Sequence, residues 1–150
     1  MSKRLYALGV FLVSVVSACA TYTQDLERGR KHYEANQYEE ALALFRVLEP
    51  DIDSLTIPER TEYAYLRGMT DYRLSHLRLQ VPGVGNPKED YRQHARHWLG
   101  LAAALEKEMP GALSEEKAKR LEGALEDLNK DVFLSSVPTK PHAESKSAVP

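Results

Sequence analysis

The chain has 150 residues, with 20 Lys and Arg against 22 Asp and Glu and a net charge of −2, so it is sized for one domain and has no overall field to draw it onto nucleic acid or an anionic membrane. One cysteine, Cys19, excludes an internal disulfide and a cysteine-based zinc cluster, which leaves packing as the source of stability.

Met1-Ser2-Lys3-Arg4 and the apolar run LYALGVFLVSVVSA have the pattern of a signal peptide over residues 1–18. That run is about 14 residues long, and a permanent membrane-spanning helix needs roughly 20. Val16-Ser17-Ala18-Cys19 resembles a bacterial lipobox. The resemblance implies that Cys19 is acylated and becomes the mature N-terminus, with residues 19–22 as the lipidated start. Ala18-Cys19-Ala20 also fits the small-residue rule for ordinary secretory cleavage, which would release a soluble chain from Thr21. Both routes lead out of the cytoplasm. Ala20 after the cysteine, where Asp would signal retention, resembles sorting to the outer membrane, with the domain facing the periplasm of a bacterial envelope.

From there the pattern is helical. Tyr22, Leu26, Gly29 and Tyr33 recur at three- and four-residue steps along one face, and Asn36 is the expected break because Asn tolerates the left-handed conformation. Tyr38, Ala41, Leu42, Phe45 and Leu48 form a second stripe that Pro50 closes, so the first two helices run antiparallel. Thr56-Ile57-Pro58-Glu59 is a capping arrangement opening a third helix, with Tyr65, Gly68, Met69 and Tyr72 on one face, that runs to about Leu79. The Gly- and Pro-rich VPGVGNPK reads as a surface connector. A fourth helix follows with Tyr91, Ala95, Trp98, Leu99, Ala102 and Leu105, stopped by Met109-Pro110-Gly111. Ser114 caps a fifth, whose buried edge is Ala118, Leu121, Leu125, Leu128 and Val132. Residues 135–150 are rich in Pro, Ser and Lys and carry too little apolar surface to offset ordering entropy, so a disordered tail is expected.

Arg28-Gly29 followed by Tyr33 returns as Arg67-Gly68 followed by Tyr72, 39 residues later. Within GRKHYEANQYEEALALF, the placing of Gly29, Tyr33, Ala41 and Phe45 resembles a tetratricopeptide repeat (TPR), with a small residue where two helices touch and an aromatic filling the gap. Ala95 and Leu99 take the corresponding positions of a second unit. The resemblance implies an all-α fold of antiparallel helix pairs stacked as a short TPR-like solenoid over residues 23–134, with the fifth helix as a cap. It further implies a concave face on the first helix of each pair that binds a protein or peptide partner. On this chain that face would comprise Arg30, Tyr33, Glu34, Tyr65, Met69, Tyr72 and Arg73. Two units are at the lower limit for such a stack, which leaves room for self-association.

Other chemistry finds little support. No G-x-S-x-G, H-E-x-x-H or phosphate-loop pattern occurs, so no catalytic residue, enzyme activity or cofactor is expected. His94 and His97 lie at i and i+3 and supply the competing reading, a metal-binding or enzyme-accessory periplasmic protein, but no further ligand accompanies them. Residues 60–98 carry seven Lys/Arg against four acids and residues 19–59 four against nine, which gives a basic middle behind an acidic leading section. The bases lie on two helices without interleaved aromatic platforms, so nucleic acid is not an expected partner. The expected partners are the membrane, through the lipid, and an envelope protein or peptide.

Overall fold

The computed structural model describes residues 22–77 and 87–135, excluding the side chains of 87 and 131–135. The expected signal peptide, Cys19, most of the connector and the segment from 136 onward lie outside the described residues. Every regular element described is helical and no strand occurs among the described residues, so the fold is all-α. Helix α1 covers residues 22–34 and α2 covers Tyr38–Leu48, followed by a 3-10 segment, Glu49–Ser54. Then come α3 (Ile57–Leu77), α4 (Pro87–Glu108) and α5 (Glu115–Ser135). None of the described helices is long and apolar enough to cross a membrane.

Local chemistry sets the boundaries. Asn36 has φ 59°, the left-handed break expected after α1. The 3-10 segment takes in Pro50, so α2 tightens there before the chain turns. Thr56 opens α3 with a variant of the expected capping box, since the Glu59 carboxylate accepts both the Thr56 N–H (3.1 Å) and its hydroxyl (2.7 Å). After α4, Gly111 adopts φ 92°, and Glu106 reaches across the turn to accept the N–H groups of Gly111 (2.7 Å) and Leu113 (2.8 Å). Those bonds satisfy backbone donors that the α4–α5 turn would leave open.

Helix α3 is the hub. Sequence periodicity marks one apolar face, yet every residue from Thr61 to Asp71 is buried, because α1, α2, α4 and α5 surround it. Its polar residues are accommodated internally. Thr61 donates to the Ile57 carbonyl, Thr70 to that of Leu66 and Ser75 to that of Tyr72, each at 2.7 Å, so these hydroxyls bury without an unmet donor. Tyr63 joins two neighbours. Its hydroxyl donates to the Phe45 carbonyl at 2.7 Å, and its ring meets Phe45 and Trp98 edge-on at 5.8 and 5.5 Å.

Two glycines make the closest helix contacts. A Cβ at Gly29 would lie 2.5 Å from the Phe45 ring of α2, and one at Gly68 would lie 2.7 Å from Leu99 of α4. Any larger residue would force the pairs apart. The partners Gly29–Phe45 and Gly68–Leu99 are those that the sequence repeat matches. Along α5, Leu121, Ala124 and Leu128 are buried while Ala118 and Leu125 are half-buried, so the packed edge is wider than the periodicity alone indicates.

Candidate functional site

Helices α1, α3 and α5 lie side by side. Glu62 meets Lys117 and Tyr72 meets Asp127, and each pair is 55 residues apart, so α5 runs parallel to α3 at a constant register. Thr23 to Glu59 and Arg30 to Glu62 place α1 along the opposite flank. Together the three helices form one face, and most residues expected at a partner-binding surface fall on it.

At one end Glu62 lies beneath two cations. Lys117 donates to both of its oxygens, at 2.6 and 2.9 Å, and Arg30 Nε approaches to 3.2 Å without the alignment of a hydrogen bond. Arg30 also pairs with Glu27 at 3.0 Å. A recess of about 260 Å³ opens here between Leu26, Glu27, Arg30, Pro58, Glu59 and Glu62. In the middle, Tyr33 is half-buried, meets Tyr38 edge-on at 5.7 Å, and has Arg73 within hydrogen-bonding reach of its hydroxyl. Burial raises the Tyr33 hydroxyl's pKa, and the Arg73 cation opposes the shift. At the far end Tyr72 donates to Asp127 at 3.1 Å, with His76 edge-on to its ring at 4.6 Å and Arg92 3.7 Å from the same carboxylate.

The structure divides the expected residues into two sets. Arg30, Tyr33, Glu34, Tyr72 and Arg73 reach the surface, with Glu34 and Arg73 exposed. Tyr65 and Met69 do not, since they are 1% and 2% exposed and belong to the core. Tyr65 is the floor of the face, roofed by Lys117 at 5.9 Å from its ring, and burial pushes its hydroxyl up to about 12. A partner on this face would touch the polar layer and not these two side chains. Sequence reasoning missed the α5 contribution of Lys117, Arg120 and Asp127. The motif repeats at 39 residues and the α3–α5 contacts at 55, so no single lag relates the three helices.

A second polar cluster is internal. Arg67 donates to Asp71 at 2.8 Å, lies 3.9 Å from Glu49, and stands over the Trp98 ring at 5.8 Å. Asp71 is wholly buried and its Oδ1 has no hydrogen-bond partner. Desolvation raises its carboxyl to about 6, against the opposing charges of Arg67, His94 and Arg46. His94 and His97 are exposed on α4, and His97 packs edge-on to Trp98 at 5.0 Å. No group of three or more His, Cys, Asp and Glu among the described residues is placed to hold a metal.

A further cleft of about 500 Å³, open to solvent, lies between residues Asn36–Glu40 and Leu74 and Leu77 of α3. The chain matches no family model, no curated protein and no solved structure.

Proposed function

We propose that this chain is a non-enzymatic, lipid-anchored scaffold of a bacterial envelope, a short TPR-like stack whose α1–α3–α5 face holds a segment of a partner protein. The observation that carries the reading is the repeated contact, Gly29 on Phe45 and Gly68 on Leu99, at positions the sequence repeat pairs with each other. Such a repeat builds a row of like helices, and a row of like helices offers an extended face instead of a closed pocket. The face carries Tyr33, Tyr72, Arg30, Arg73 and Glu34, side chains that combine ring area with directional polar contacts. Cys19 supplies the tether on this reading, with the outer membrane as its address.

The test uses the full chain in bacterial cells. Radiolabelled palmitate should enter the wild type and not Cys19→Ser. A photo-crosslinking residue in place of Glu34 should capture a discrete partner, and adding Tyr33→Ala with Arg73→Glu should abolish that capture while the circular dichroism spectrum is unchanged. Capture that persists in the double variant would refute the assigned face, and palmitate entering Cys19→Ser would refute the anchor.

A further inference from the structure

The start of α1, the turn into α3 and the α4–α5 turn meet at one end of the bundle. Thr23 donates to Glu59 at 3.0 Å, and Thr23, Pro58 and Ala112 line one recess. Gly68 against Leu99 in the antiparallel α3–α4 pair sets Pro58 about level with Met109. Cys19 precedes Tyr22 by three residues, a length of chain that spans at most about 11 Å, so a lipid on Cys19 is tied to this end and not to the other. The end carries an apolar tip. Met109 is 40% exposed, and Pro110 and Pro58 are exposed with it. The tip is braced from behind, because Glu106 accepts the N–H groups of Gly111 and Leu113 and the Ala112 N–H donates to the Met109 carbonyl at 3.3 Å. Its surroundings are acidic. Residues 51–59 and 107–116 expose four carboxylates, Asp53, Glu108, Glu115 and Glu116, and one cation, Lys107.

We infer that this end of the bundle is a lipid-contacting surface, which seats Met109 and Pro110 at the headgroup boundary of a zwitterionic leaflet and is held off anionic lipid. The inference rests on the Cys19 anchor proposed above and adds which part of the domain meets the membrane and which lipid it suits. The acyl chains supply the affinity, since one methionine and two prolines bury little area; the tip fixes the orientation. The choice of lipid follows from the charge. An anionic leaflet attracts basic segments within a Debye length and repels carboxylates over the same distance, so a phosphatidylethanolamine surface fits this end and a phosphatidylglycerol surface does not. With this end against the lipid, the α1–α3–α5 face stands up from the membrane. Tyr72 is ten residues along α3 from Glu62, so its end of the face lies about 15 Å farther out.

The test uses the full chain, produced in bacteria with radiolabelled palmitate and reconstituted on vesicles of phosphatidylcholine and phosphatidylethanolamine. Acylation takes the Cys19 thiol, so Met109→Cys and, toward the opposite end, Lys130→Cys each leave one free thiol for an environment-sensitive nitrobenzoxadiazole label. Both positions are exposed, and neither substitution should disturb the fold. Emission from Met109→Cys should move to the blue and be quenched by a nitroxide in the headgroup region, while Lys130→Cys shows neither effect. On vesicles rich in phosphatidylglycerol the blue shift should shrink, and it should return in about 1 M salt, where the screening length falls to about 3 Å. Palmitate in the chain with aqueous emission at both positions, or with equal quenching at both, would overturn the inference and leave the anchor standing. A larger shift on phosphatidylglycerol would overturn the assigned lipid. A chain that takes up no palmitate and does not sediment with vesicles would overturn the anchor and this inference together.

Discussion

Asp71→Asn probes the least ordinary feature of the interior. Asp71 is buried with one oxygen unpaired, and its carboxyl is raised from 3.8 to about 6. Desolvation thus outweighs the ion pair with Arg67. A raised carboxyl pKa means that the folded chain binds a proton more firmly than the unfolded chain does, so this group should stabilise the fold as pH falls from 7 through 6 toward 4. At 1.36 kcal/mol per pKa unit the whole effect is about 3 kcal/mol. The direction is opposite to that of Glu59, whose carboxyl is lowered by hydrogen bonds from Thr56 and which loses its contribution as pH falls below its ordinary range. Urea unfolding of wild type and Asp71→Asn at pH 7, 6, 5 and 4 isolates the group, since most other carboxylates titrate alike in both. The stability difference, wild type minus variant, should rise by about 2.4 kcal/mol between pH 7 and pH 4, the rest of the effect arriving only below the unfolded carboxyl's own pKa. The charge of His94 acts on Asp71, so the comparison is repeated in a His94→Gln background, where the slope should persist. The offset at pH 7 mixes in the hydrogen bonding of the new amide and leaves Arg67 with Glu49 alone, so the slope is the decisive quantity. Parallel curves for wild type and variant would refute the argument that burial controls this carboxyl.

The glycines should separate by their surroundings. Gly68→Ala places a methyl against Leu99, at a cost of about 1–3 kcal/mol that exceeds the roughly 1 kcal/mol gained in helix propensity, whereas Gly123→Ala keeps only the gain; equal changes in urea midpoint would contradict this. Tyr63→Phe removes the bond to the Phe45 carbonyl and leaves that acceptor buried, so unfolding free energy should fall by about 1–2 kcal/mol with helicity kept. Because α3 is packed on all sides, far-UV circular dichroism and Trp98 fluorescence should report the same urea midpoint, and separate midpoints would mean that the pairs unfold independently.

Much of the architecture was legible because its signals are local. Asn36, Thr56-Glu59 and Pro110-Gly111 act through the few residues beside them, and each marks an element boundary where one occurs. Position in the row is not local. A central helix buries its polar residues as well as its apolar ones, and nothing in the residue types of Arg67, Asp71, Thr61 and Thr70 marks them as lying at the middle of the fold. For the same reason Tyr65 and Met69 were expected on a partner surface, because an apolar residue on an inner helix faces a groove or a neighbour according to how closely the flanking helices approach. Here α1 and α5 approach closely enough for Lys117 to cover Tyr65. The α5 contribution was hidden for a related reason: the pairs differ in length, so register passes from 39 residues to 55 and only contacts reveal it.

That closeness shapes how the face would recognise anything. A groove floored by an exposed tyrosine would gain from apolar burial, but with Tyr65 covered the accessible layer consists of Arg30, Tyr33, Glu34, Tyr72 and Arg73, with Lys117 and Arg120 from α5. Of these cations, Arg30 and Lys117 are held by Glu62, and Arg120 is held by Glu116, while Arg73 is directed to the Tyr33 hydroxyl. An incoming acidic group would have to displace existing carboxylates at most positions and would meet an uncontested guanidinium only at Arg73. Exposed pairs of this kind contribute about 0–1 kcal/mol each and are weakened by salt, so specificity on this face concentrates at Arg73 and the two half-buried tyrosine rings.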